Sequence, residues 1–160
     1  MDQNDALDFS GLAGGDEVSV DEKGRILISR PLRERLGQPF VIGRGETGCL
    51  ALYPKSYWDD LIALVKSVDR FDPDRQDFER LVIGGASVNE SFDKQGRVLI
   101  PKDMRTFAEI ANRARIVGMT ERVEIWSPKE FEEFQGNPRE YKKARRDSIA
   151  QAYRAMTGKA

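Results

Sequence analysis

Two arginines, Arg25 and Arg97, each follow a glycine and stand four residues after an aspartate, in Asp21-Glu22-Lys23-Gly24-Arg25 and Asp93-Lys94-Gln95-Gly96-Arg97. A second basic residue stands just beyond each: Arg30 in the first copy and Lys102 in the second. Arginine's planar fork pairs with phosphate, or with O6 and N7 of guanine in a major groove that admits a two-stranded β-ribbon. Asp21 and Asp93 are placed to hold the arginine side chain or to cap the turn. The plainer alternative is an Asp–Arg ion pair that stabilises a tight hairpin, and the two roles are compatible.

Other chemistries lack their residues. The chain has no histidine and one cysteine, Cys49. This removes Ser-His and Cys-His nucleophilic pairs, an internal disulfide and a zinc site from consideration. Neither a G-x-x-x-x-G-K-[ST] phosphate loop nor a G-x-G-x-x-G fingerprint occurs. No carboxylate pair is marked out, so we expect no catalytic residue, no metal, no cofactor and no small-molecule substrate; an enzyme is the poorer hypothesis.

The arginines sit in an internal repeat. Val20 to Ile28 and Phe92 to Ile100 are the same phrase 72 residues apart, an Asp-x-x-Gly-Arg turn running into an apolar strand. Each strand meets a proline and a basic residue as a helix begins, in Ser29-Arg30-Pro31-Leu32-Arg33 and in Pro101-Lys102-Asp103-Met104-Arg105. Cys49 to Tyr57 and Val123 to Phe131 correspond at an offset of 74. In each copy the expectation is a local hairpin, Val18 to Val20 with Arg25 to Ile28 and Ala86 to Phe92 with Val98 to Ile100. Gly24 and Gly96 supply the turn dihedrals.

The rest of the chain falls around these units. Residues 1–15 read as a flexible arm, 16–66 as the first repeat, 67–85 as a connecting helix, 86–134 as the second repeat and 135–160 as a basic C-terminal helix or tail. In the second helix of the first repeat, Tyr57, Trp58, Leu61, Ile62, Leu64 and Val65 form a wide apolar stripe suited to core or to a subunit contact. In the tail, Tyr141, Ala144, Ser148, Ile149, Ala152 and Met156 recur at helical spacing behind Lys142, Lys143, Arg145 and Arg146. That helix is expected to pack on a neighbouring subunit or to lie along a phosphate backbone.

The net charge of -1 is unevenly spread. Residues 1–20 carry five acidic and no basic side chains, whereas 135–160 carry seven basic and two acidic. Residues 21–35 carry five basic and three acidic, and residues 93–105 four and two. Local basic patches are therefore available on a nearly neutral molecule. The acidic N-terminus lacks the plan of a signal peptide, and no run of about 18 apolar residues exists to span a membrane, so the expected location is cytoplasmic.

The doubled motif, from Val20 to Arg33 and from Asp93 to Arg105, resembles the SpoVT-AbrB class of DNA-binding β-hairpins. Two copies in one chain, with the Tyr53-Pro54 and Trp126-Ser127-Pro128 junctions and a connector bearing Arg75, Arg80 and Gly85-Ala86, are similar to the MraZ family over residues 9–134. The resemblance implies an α+β fold: two tandem hairpin/helix units forming one pseudo-twofold, β-barrel-like domain, followed by a C-terminal helix. It also implies a nucleoid-associated regulator of the bacterial division and cell-wall gene cluster, expected to repress it. Such a regulator binds G-rich tandem repeats of double-stranded DNA as a ring of about eight to twelve subunits.

By the same resemblance the DNA-contacting positions are Lys23, Arg25, Arg30 and Arg33, repeated as Lys94, Arg97 and Lys102, with Asp21, Gly24, Asp93 and Gly96 supporting the motif. The first copy is the more basic and is expected to read DNA, the second to complete the fold. The chain departs from the family pattern at Ser29, where a proline is expected, and in the basic tail beyond Pro138. An antitoxin-like module of the same fold is a rival, set against the doubling and the basic tail. A protein-binding structural ring is the other, and it would use the aromatic helix.

Overall fold

Ile26 and Val98 are equivalent positions of the two repeats, and they pair directly with one another. In the computed structural model, which describes residues 14–141 and 144–159, this pair forms the centre of a two-stranded antiparallel ribbon between β2 (Arg25–Leu27) and β6 (Arg97–Leu99). The ribbon lies alongside a six-stranded antiparallel sheet ordered β1-β7-β8-β4-β3-β5. Its strands are β1 (Gly14–Ser19), β3 (Phe40–Arg44), β4 (Leu50–Pro54), β5 (Ser87–Glu90), β7 (Arg113–Gly118) and β8 (Val123–Trp126).

Exchanging the two repeats reverses this strand order onto itself, since β1 corresponds to β5, β3 to β7 and β4 to β8. Leu50 opposite Ile125 and Ala51 opposite Glu124 form the central contact. The architecture is α+β, and its symmetry is that of the sequence repeat.

Pairing between repeats corrects the expected local hairpins. β1 pairs over six positions with β7 of the other repeat, and β5 pairs with β3. Of the expected first hairpin, a bridge between Val20 and Ile26 remains among the described residues. Alternating apolar residues reveal that a strand has a partner but not which one. Duplication supplies two partners of nearly the same pattern. The exchanged arrangement gives β1 a six-residue partner in place of the three-residue β2.

The expected arm also ends sooner, because Gly14 and Gly15 already belong to β1; residues 1–13 lie outside the described residues.

The helices follow the signals read from the sequence. Helix α1 (Arg30–Leu36) carries Pro31 in its first turn, buries Leu32 and Leu36, and stops at Gly37, whose φ of 72° suits glycine. Helix α2 (Lys55–Ser67) follows Pro54. Helix α3 (Pro73–Phe78) is capped by Asp72 and runs on as a wider π turn through Glu79–Ile83. Helices α4 (Lys102–Phe107), α5 (Pro128–Gly136) and α6 (Ala144–Thr157) complete the described elements.

One core is shared by both repeats. Ile26, Ile28, Val98 and Ile100 from the ribbon meet Leu32, Leu36 and Met104 from α1 and α4, and Ile42, Leu52, Ile116 and Ile125 from the sheet. The opposite sheet face is covered as well, by Trp58 of α2 over Val41, Ala51 and Tyr53, and by Phe131, Phe134 and Tyr141 over Trp126 of β8. Covering both faces makes β4 and β8 buried almost throughout.

The C-terminal helix packs on its own chain. Ile149, Ala152 and Met156 are buried against Val65, Val68, Phe78 and Val82, and the Tyr153 ring meets Phe78 edge-on at 5.2 Å. The Lys159 ammonium closes the contact on Asp72 at 2.9 Å. The apolar face of this helix therefore has an intramolecular seat in place of the expected neighbouring subunit. Arg146 of the expected basic cluster donates to the Tyr141 carbonyl, while Lys142 and Lys143 lie outside the described residues. Ile149→Ala is expected to cost about 2–5 kcal/mol in denaturant unfolding, independent of protein concentration, because it empties a buried site within one chain.

Candidate nucleic-acid interface

Each Asp-x-x-Gly-Arg turn is closed by its own aspartate. Asp21 Oδ1 accepts from the backbone N–H groups of Lys23 at 3.0 Å and Arg25 at 2.8 Å, and Asp93 Oδ1 accepts from Gln95 and Arg97, both at 2.9 Å. This is the hydrogen-bonding habit that makes aspartate a turn former. The glycines then take left-handed φ values, 87° at Gly24 and 83° at Gly96.

The second carboxylate oxygen of each aspartate holds the arginine side chain. Arg25 Nε donates to Asp21 Oδ2 at 2.7 Å, and Arg97 Nε donates to Asp93 Oδ2 at 3.0 Å. Arg97 also lies 3.5 Å from Asp21 across the ribbon. Ion pair and arginine presentation, left as compatible roles by the sequence, thus share one geometry. The aspartate takes Nε, and each arginine side chain keeps about 30% of its surface exposed.

Both aspartates titrate below the ordinary carboxylate range, chiefly because the backbone N–H of the arginine four residues on donates to the ionised form.

The two turns are bound into each other. Ile28 N–H donates to the Gly96 carbonyl at 3.2 Å, and Ile100 N–H donates to the Gly24 carbonyl at 3.0 Å. Arg33 Nη1 donates to the Ile28 carbonyl at 2.6 Å, with its guanidinium pressed on Gly96. Arg105 repeats this, donating to the Ile100 carbonyl at 3.0 Å and lying so close to Gly24 that an added Cβ would meet its Cζ at 2.7 Å. Each of these arginines clasps the turn of the opposite repeat.

The sequence-derived residues therefore divide. Lys23, Arg30, Lys94 and Lys102 are exposed on the segments flanking the ribbon strands, and Arg30 is tied to Glu34 at 2.9 Å on an open helix face. Arg25 and Arg97 share the outer ribbon face, whereas the half-buried Arg33 is bonded to the Ile28 carbonyl. The two copies take equivalent places on one ribbon. Arg105 escaped notice, although the 72-residue offset maps it onto Arg33. Leu27 and Leu99 were also missed; strict alternation from Ile26 and Val98 would have placed them on the arginine face.

A duplicated α+β chain whose two basic turns fuse into one surface ribbon defines the class of protein. A family model described as "MraZ protein, putative antitoxin-like" matches residues 12–81 and again 83–154. The chain belongs to the MraZ family. It is 38% identical over 126 residues to a Thermoanaerobacter protein, covering 79% of this chain and 87% of the relative. It is 40% identical over 123 residues to one from Pelotomaculum thermopropionicum, covering 77% and 84%. A Thermomicrobium roseum relative is 41% identical over 113 residues, covering 71% and 79%. All three relatives carry the name transcriptional regulator MraZ.

Two outcomes follow from the turn geometry. Gly96→Ala is expected to destabilise the fold by about 1–3 kcal/mol, from a left-handed φ and a clash with Arg33. Removing the clash with Arg33→Ala should leave the two costs less than additive in a denaturation cycle. The lowered carboxyl values place the second effect in acid. The stability carried by Asp21 and Asp93 is complete above about pH 4 and is lost as pH falls through their depressed values. Urea unfolding across that range should show less acid sensitivity in the Asp21→Asn, Asp93→Asn double variant.

Proposed function

We propose that this chain is a transcriptional regulator that binds double-stranded DNA sequence-specifically through the β2·β6 ribbon. The observation that carries this reading is the meeting of Arg25 and Arg97 on one exposed ribbon face, each aimed by a carboxylate. A two-stranded ribbon fits the major groove, and paired guanidinium groups suit guanine O6 and N7, so the preferred sites are G-rich; the family resemblance extends this to tandem repeats. Lys23, Arg30, Lys94 and Lys102 supply phosphate contacts that set register. Arg33 and Arg105 act one step back, holding the turns that present Arg25 and Arg97.

Family membership supports extending the reading to repression of the bacterial division and cell-wall gene cluster by a cytoplasmic, nucleoid-associated protein. The six-stranded sheet and the ribbon, around their common core, form one barrel-like unit from repeats 16–66 and 86–134. The 67–85 connector joins them, and 135–160 is appended. We further propose a homo-oligomeric ring of about eight to twelve protomers, in which modest basic patches on a nearly neutral chain add their phosphate contacts. The rival of a protein-docking ring loses support because α2 turns Trp58 and Val65 into the fold.

Selection of duplexes from a random pool at fixed salt should enrich G-rich repeats. On the selected duplex, Arg25→Ala should weaken binding about 5- to 150-fold while light scattering reports unchanged assembly. Unchanged affinity would remove the ribbon from the reading.

A further inference from the structure

The outer face of the ribbon carries two leucines as well as two arginines. Leu27 is 49% exposed and Leu99 53%, and neither joins the shared core. Strands covered on one face ordinarily turn polar residues outward. Here both repeats place leucine at the same outward position, although the inward positions between them differ as Ile26 and Val98.

We propose that Leu27 and Leu99 are specificity residues that make apolar contact with thymine methyl groups in the major groove. The proposal rests on the DNA-binding reading above. In the ribbon Leu27 stands opposite Arg97 and Leu99 opposite Arg25, so arginines and leucines occupy the two diagonals of a square. Diagonal neighbours across an antiparallel pair lie roughly 7–8 Å apart, close to two base-pair steps of about 3.4 Å. One diagonal is therefore spaced to meet two guanines, and the other to meet apolar groups on bases beside them.

The surroundings select the occupant. Lys23, Lys94, Arg30 and Lys102 are exposed on the segments that flank the leucines in the chain, and their positive charge complements a phosphate-walled groove. Two isolated side chains offer far less than the roughly 800 Å² per partner of a stable protein interface. In the major groove the thymine C5-methyl is the distinctive apolar group.

The test uses the full-length protein and a duplex recovered by selection. Thymines are replaced singly by deoxyuridine, which deletes only the methyl group. At one or two positions this should weaken wild-type binding by about three- to tenfold. The Leu27→Ala, Leu99→Ala double variant should lose that sensitivity, with an unchanged melting temperature showing an intact fold. The double Met variant, apolar and of similar reach, should keep it. Deoxyuridine without effect, sensitivity that persists in the alanine variant, or selected sites free of thymine would overturn the proposal. In each of these cases DNA binding still weakened by Arg25→Ala leaves the ribbon reading standing. A wild-type protein that binds no duplex overturns both.

Discussion

Everything at the candidate site depends on the pairing of β2 with β6. Each is a three-residue strand, too short to be stable by itself, and each finds its partner in the other repeat. Ile26 and Val98 close the inner side, and the carbonyls of Gly24 and Gly96 receive the strand ends of the opposite copy. Neither turn is complete without its counterpart. The duplication therefore builds one symmetric ribbon rather than two independent hairpins, and the arginines reach a common surface because their strands are hydrogen-bonded together.

That constraint shapes the electrostatics. An exposed Asp–Arg pair contributes little to stability by itself. Its value here is orientation: a guanidinium held at Nε enters an encounter with part of its conformational entropy already removed, which lowers the cost of ordering it against a ligand. The clasps formed by Arg33 and Arg105 extend the same economy to the backbone. Of four equivalent-looking arginines, Arg33 and Arg105 are bonded to backbone carbonyls and Arg25 and Arg97 to aspartates. A chain with a net charge of -1 can thus concentrate positive potential on one small ribbon without becoming a polycation.

Much of this was legible in the sequence, and the remainder was hidden for physical reasons. The repeat, the turns at Gly24 and Gly96, the helix stop at Gly37 and the inward leucines of α1 follow local rules that a single copy contains. Strand exchange does not, because two nearly identical partners satisfy the same alternation. The role of Arg33 was equally hidden, since basic residues at a helix start look alike whether they face solvent or a carbonyl of the preceding strand. The intramolecular seat of α6 depended on a face formed by Val65, Phe78 and Val82, which belongs to two other helices. By contrast, Arg105 and the outward leucines were within reach once the 72-residue offset was applied residue by residue.

The most direct test of the ribbon as the reading surface is nuclear magnetic resonance of the arginine Nε–Hε groups during titration with a selected duplex. The account predicts that Arg25 and Arg97 shift together along one titration, while Arg33 and Arg105, already bonded to Ile28 and Ile100, stay nearly fixed. Shifts confined to arginines away from the ribbon, such as Arg70 and Arg80, with Arg25 and Arg97 unmoved, would contradict it.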